Sequence, residues 1–233
     1  MAESFEKKGA KNIDSALNGK ETMFLKNKKI ILGALVAIIV VVAGYFLYNN
    51  YYAAPRADEA STALAKGQDY FANQQYDKAL NGDGAGYTGF KAIASDYSST
   101  DAGNLANLYA GLCLANMDKW NDAVKYLENY SPADDEMVSP AAIAALGNAY
   151  AHVKQYDKAV EALKKAAKMA DSEAVDDANN SLSPTFLITA AEILESQNKK
   201  DEALQIYQDI KKKYVNSAAS QEIDKYIERA TTK

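Results

Sequence analysis

The 233-residue chain reads as all-α. An apolar helix long enough to span a bilayer precedes a solenoid of about four helix-turn-helix repeats, and a capping helix closes the array. Three observations predict this. Residues 30–48 pass without one charge. Small residues recur in pairs twelve apart, at Gly67/Ala79, Gly111/Ala123, Gly147/Ala159 and Ala191/Ala203. Elsewhere the apolar positions follow helical spacing, and no stretch alternates as a strand would.

Residues 1–29 form a polar tail. Its seven Lys against four acids give +3, which leaves −8 for the rest of a chain of net charge −5. The tail reads as solvated, with a transient helix near Phe24 and Leu25. An acidic main body excludes a nucleic-acid role, because neutralising phosphates needs a Lys/Arg surface. Cys113 is the sole cysteine, so no intramolecular disulfide can form.

As a helix, residues 30–48 extend roughly 28 Å, close to the hydrocarbon thickness of a bilayer. Lys26, Lys28 and Lys29 crowd one flank, whereas Arg56 is the nearest cation past the other. By the positive-inside rule the tail stays in the cytoplasm and everything after Asn49 lies outside. Tyr45, Tyr48, Tyr51 and Tyr52 suit the outer aromatic belt. The long preceding tail and the lack of a small-x-small site before Pro55 favour a retained signal anchor over a cleaved signal peptide. The expected layout is a cytoplasmic tail (1–29), a transmembrane anchor (30–48), a connector (49–59) and an exterior repeat domain (60–233), single-pass in a bacterial inner (cytoplasmic) membrane.

The third repeat defines the register. Leu146, Gly147 and Tyr150 share one helical stripe, and Ala159, Val160, Leu163 and Ala166 form another on the helix that follows. Gly147 and Ala159 are small enough for two helix backbones to cross closely. Tyr156 sits at the turn, as do Tyr76 and Trp120 in their repeats, with Lys200 the one departure. A lone hairpin cannot bury both faces, so such units imply stacked neighbours. In repeat 1 the second helix is broken after Tyr76 by the glycine-rich stretch 81–86, which lengthens the repeat by about ten residues. Polar linkers 131–136 and 171–184 flank repeat 3. Residues 218–229, with Ile223, Tyr226 and Ile227 on one face, read as the cap.

These registers resemble the tetratricopeptide repeat, a helix-turn-helix unit of about 34 residues. The likeness covers residues from about Ala60 onward, is best in the third copy and weakest at the fourth turn. The endings Tyr97-Ser98-Ser99, Tyr130-Ser131-Pro132 and Tyr214-Val215-Asn216-Ser217 resemble those of bacterial envelope members.

No stretch reads as an active site. Gly84-Ala85-Gly86-Tyr87-Thr88-Gly89 spells a dinucleotide fingerprint, but that motif has meaning only between a strand and a helix. A flexible insertion is the expectation. Cys113 and His152 fall on different faces of neighbouring first helices, so neither a nucleophile-base pair nor a metal site is expected. Asp134-Asp135-Glu136 and Asp176-Asp177 lack calcium-loop spacing. Asn179-Asn180-Ser181 is a bare glycosylation sequon. The chain is expected to need no cofactor and no metal, and not to be an enzyme.

The resemblance also implies a peptide groove, lined by positions 2, 5, 9, 12 and 13 of each first helix. Carried over by register, the candidates are Gln68 and Phe71, then Leu108, Leu112 (with Leu105) and Asn116, then Asn148 and His152, then Ile188, Glu192 and Glu195. No Lys or Arg is among them, which disfavours the variety that clamps a C-terminal carboxylate. An apolar stretch, a polar middle and an acidic end suit extended apolar or basic segments. The competing expectation is that a neighbouring helix covers the three leucines.

The layout as a whole resembles the family of ancillary subunits of the bacterial Sec translocon. That resemblance implies an adaptor or holdase on the periplasmic side, with emerging envelope proteins, the translocon and a membrane-anchored chaperone as partners. The other expectation is a structural scaffold for an envelope or division assembly that holds one fixed partner.

Overall fold

The computed structural model describes residues 27–232. The tail residues 1–26, including Lys26 and the segment around Phe24 and Leu25, lie outside the described residues. The chain divides into two units, Met1–Pro55 and Arg56–Lys233.

In the first unit, α1 (27–48) is apolar and its side chains are bare: Ile30 is 72% exposed and Val41 70%. Among the described residues, no element covers this apolar surface. Helical geometry does not stop at its end. Residues Asn49–Ala53 form a π-helical turn in which the Ala54 N–H donates to the Asn49 carbonyl, and α2 (Ala54–Ala72) follows. The expected connector is therefore helical, and Pro55 is the second residue of α2. Proline lacks an N–H and crowds the carbonyl four residues back, and the widened turn just before it accommodates both defects.

The second unit holds the repeats. Its helices are α2, α3 (Tyr76–Asn81), α4 (Phe90–Asp96), α5 (Asp101–Asn116), α6 (Trp120–Glu128), α7 (Val138–His152), α8 (Tyr156–Ser172), α9 (Ser183–Ser196), α10 (Lys200–Lys213) and α11 (Ile223–Thr231). The pairs α5/α6, α7/α8 and α9/α10 are helical hairpins, and each packs on the next. Two clusters of buried side chains share α5: Leu108 faces repeat 3, while Ala110, Cys113 and Leu114 face repeat 1.

All four turns are built alike. Gln74, Asp118, Lys154 and Asn198 take left-handed backbone, with φ between 58° and 61°. The next N–H donates back to a carbonyl five residues earlier: Gln75 to Tyr70, Lys119 to Leu114, Gln155 to Tyr150 and Lys199 to Leu194, at 2.8–2.9 Å. These bonds satisfy carbonyls that a helix end leaves open. Repeat 4, which lacks the aromatic at Lys200, makes the same turn, so the backbone bond and not the ring sets the geometry. Lysine carries a Cβ penalty at such a φ that glycine does not. Lys154→Gly is expected to raise stability by about 0.5 kcal/mol, read as a higher denaturant midpoint at unchanged m-value.

Repeat 1 contains the insertion, and its length can be read from the packing. A Cβ on Gly111 would meet Leu127, and one on Gly147 would meet Leu163, each 16 residues on; on Gly67 it would strike Phe90, 23 residues on. The insertion is therefore seven residues, and α4 resumes the interrupted helix. It is tied down, contrary to the flexible loop expected. Asp83 Oδ1 accepts from the N–H groups of Ala85 (2.8 Å) and Tyr87 (2.9 Å), and Oδ2 accepts from the Tyr70 hydroxyl (2.7 Å) and Lys66 Nζ (2.9 Å). The glycine fingerprint lies in this loop between two helices, so no strand precedes it.

The repeat-3/4 junction closes on another carboxylate. Asp171 is buried and accepts from Asn179 N–H (2.9 Å), Ser183 Oγ (2.7 Å), Lys213 Nζ (2.6 Å) and the Tyr214 hydroxyl (2.6 Å). Burial pushes its carboxyl upward, but these four donors outweigh it and hold Asp171 below the ordinary carboxylate range. Asp83 is also held well below that range, by Lys66 first and then by the Tyr87 and Ala85 N–H groups and Tyr70. A depressed folded value means that the unfolded chain takes up protons first. The stabilisation is thus complete above about 3.9 and is lost as pH falls further. Asp171→Asn should lower the thermal midpoint at pH 7 and flatten its decline below pH 4, which melts across pH 2–7 would read.

Candidate protein-binding groove

The first helices α2, α5, α7 and α9 carry the predicted groove positions, and they differ in what they leave open. Leu108 is only 6% exposed and sits in one cluster with Val124, Leu127 and Ile143. It belongs to the core, because α7 packs over it, and it is withdrawn from the groove. Leu105 and Leu112 are half-buried against the same cluster. Covering by a neighbouring helix is thus complete for one leucine and partial for two.

At the repeat-1 end, Gln68 donates to the Tyr109 hydroxyl (3.0 Å), and Phe71 packs edge-on against Tyr109 and Tyr76 with ring centres 5.4 and 5.5 Å away. Both predicted residues thereby converge on Tyr109 of the next repeat. Asn116 is exposed, and its amide donates to the Leu112 carbonyl (2.8 Å). Asn148 and His152 are exposed and Ile188 is half-buried. The His152 imidazole lies flat on Trp120, with ring centres 3.6 Å apart and planes 3° from parallel. This stack joins repeats 2 and 3. Cys113 is fully buried, and burial pushes its thiol up to about 12, so it is protonated at neutral pH.

The acidic end is not open charge. Arg229, from the capping helix α11, bridges Glu195 and lies 3.6 Å from Glu192; the Tyr207 hydroxyl also donates to Glu195 (3.0 Å). Glu195 in turn holds the Arg229 guanidinium far above its ordinary value. The expectation of an acidic groove end is corrected here: one guanidinium faces both carboxylates. Tyr109, Trp120 and Arg229 were not among the residues expected. Trp120 occupies the aromatic turn position and Tyr109 adjoins the groove position Leu108, so both carried a register signal. Arg229 stands 34 residues after Glu195, one repeat length, so it carried a register signal too, hidden because the cap reads as a closing helix and not as a further repeat.

Three comparisons bear on the fold. The tetratricopeptide repeat profile matches residues 142–175, most of α7 and all of α8, the unit that reads best in the sequence. Among solved structures the chain is similar to the nearly identical TPR-like repeats of a Podosopora anserina protein assigned as a kinesin light chain. The TM-score is 0.56 at 13% identity, covering 75% of this chain and 85% of that one. No curated protein matches the sequence. The repeat unit accordingly has the fold of a tetratricopeptide-like helical solenoid.

Proposed function

We propose that the chain is a non-enzymatic, membrane-anchored adaptor whose repeat domain holds other polypeptides on the periplasmic side of a bacterial inner membrane. The observation that carries this reading is α1. Nineteen uncharged residues with outward apolar side chains are joined to an interaction scaffold, and burying that surface in lipid stabilises it where water does not. Lysines at the N-terminal flank favour a cytoplasmic tail. The layout resembles the ancillary subunits of the Sec translocon, which supports a holdase for emerging envelope proteins, working beside the translocon and a membrane-anchored chaperone. A fixed-partner scaffold for envelope or division machinery is the second reading.

Two measurements test the proposal. The full-length protein should resist alkaline extraction from membranes, while a chain lacking residues 30–48 should appear in the soluble fraction. Intact spheroplasts treated with protease should lose the repeat domain and keep the tail. Full-length protein extracted at alkaline pH, or a protected repeat domain, contradicts the anchor or its orientation. For the holdase, the protein in lipid nanodiscs should slow aggregation of an unfolded envelope protein in proportion to its concentration. No effect at stoichiometric excess would leave the scaffold.

A further inference from the structure

The repeat unit hides nearly all its large apolar side chains, and the exceptions share one edge. Among its described residues, the exposed ones are Met137, Val138, Val175 and Val215, with Val175 at 84%. All four sit in or next to the links that join one hairpin to the following helix, at 129–137, 173–182 and 214–222. Antiparallel helices put these links at one edge and the turns within hairpins at the other. At that other edge Met117, Trp120, Val153 and Tyr156 are half-buried. Hydrogen bonds tie the link edge together: the Ser131 N–H donates to Asn104 Oδ1 (2.8 Å), and the Tyr214 hydroxyl donates to Asp171 (2.6 Å). Apolar side chains gathered in this way mark a contact surface, whereas single scattered ones do not.

Charge decides what fits there. The links 129–137 and 173–182 hold three carboxylates each and no Lys or Arg. Asp135 accepts from the N–H groups of Met137, Val138 and Ser139, and the other five are exposed. Lys164, Lys168 and Lys213 line a hollow beside Asp177, with Lys213 bonded to the buried Asp171. Seven carboxylates therefore stand against three lysines around repeat 3. Next to Val215 the charges pair off, Lys211 with Asp224 and Lys225 with Glu222, which leaves Lys212. A basic group gains from such a field and an acidic one is repelled. The chain enters the repeat unit at the same edge, where Arg56 at the start of α2 donates to the Asp96 carbonyl and lies 5.0 Å from the centre of the Tyr97 ring. The lipid surface is thus the rival occupant, and the same carboxylates repel an anionic one.

We propose that the link edge beside repeat 3 docks polypeptide segments that carry basic and apolar side chains together, with Met137, Val138 and Val175 as its apolar contacts. This surface is separate from the open face of the first helices, so either can fail without the other.

The test uses full-length protein in nanodiscs of zwitterionic lipid, with empty nanodiscs as background, and three fluorescent 12-residue peptides. One is built from Lys and Leu, one from Glu and Leu, and one from Lys and Ser. Anisotropy should show the Lys/Leu peptide binding at least about tenfold tighter than either other, and several-fold more weakly at high salt, because screening acts on the charges. Glu136→Gln with Asp176→Asn and Asp177→Asn should weaken it at least about fivefold and remove most of the salt dependence. Met137→Ser with Val138→Ser and Val175→Ser should weaken it and keep the salt dependence. These side chains are exposed, so the thermal midpoint of both variants should stay unchanged. Equal affinity for the Lys/Leu and Glu/Leu peptides, or no binding, overturns the inference. Tight Lys/Leu binding that neither variant alters puts the site elsewhere, such as on the open face, and overturns this inference alone. A dye attached at Val175→Cys separates the remaining occupants, since Cys113 is fully buried and takes no label. Quenching of that dye by a lipid-borne quencher before peptide is added, or a dimer mass with the dye shielded, assigns the edge to lipid or to a second copy and overturns the proposal.

Discussion

Gly103→Ala is expected to lower the stability of the repeat unit by about 3 kcal/mol, a drop of roughly 6–12 °C in thermal midpoint. Gly103 lies in the first turn of α5, where its N–H donates to the Thr100 side chain (3.0 Å). A Cβ there would be driven into the carbonyl of Tyr97, a backbone atom. That carbonyl already accepts from the Thr100 N–H (2.9 Å) and hydroxyl (2.8 Å), so the turn joining α4 to α5 cannot yield without losing both bonds. Thermal unfolding by circular dichroism checks this, and an unchanged midpoint would show that the turn relaxes freely.

Gly147→Leu is expected to cost more than about 2 kcal/mol. A Cβ at Gly147 would stand 2.8 Å from Leu163 Cγ and 3.1 Å from the Ala159 carbonyl, where α7 crosses α8. The leucine side chain can shift, so Gly147→Ala should be far milder than Gly103→Ala. The added isobutyl group cannot be absorbed, because Leu163 and Ala159 are themselves buried. Denaturant titration of both variants would show the ordering, and equal losses for Gly147→Ala and Gly147→Leu would overturn the assignment of this glycine to a helix crossing.

These two sites mark where the sequence was and was not informative. Gly147 was legible, because the pairing of small residues twelve apart reports a helix crossing whatever surrounds it. Gly103 was not, since its constraint comes from Tyr97 across a turn that repeat spacing does not describe. The insertion was seen but mismeasured: composition marks a glycine-rich break, yet only the contact of Gly67 with Phe90 shows where the helix resumes. Residues 49–59 read as a connector, whereas Asn49–Ala53 is π-helical and α2 begins at Ala54, and such a turn has no sequence signature. The cap was read as one helix over residues 218–229, whereas Ala218–Gln221 is 3-10 and α11 starts at Ile223. In the groove, register identified the open positions Asn116, Asn148 and His152. It could not show that α7 covers Leu108, nor that Arg229 arrives from the cap to meet Glu192 and Glu195, because both depend on how successive units stack.

The central claim is that the open face of the first helices, in an anchored chain, is the surface that holds other polypeptides. The most direct test is photo-crosslinking in living cells from full-length protein carrying the crosslinker at Asn148, compared with Lys165 on the second helix of the same repeat. Both positions are exposed, so access to solvent does not distinguish them. The account predicts adducts with many envelope proteins from position 148 and few from 165. Equal labelling from both, or adducts from 165 alone, would contradict it.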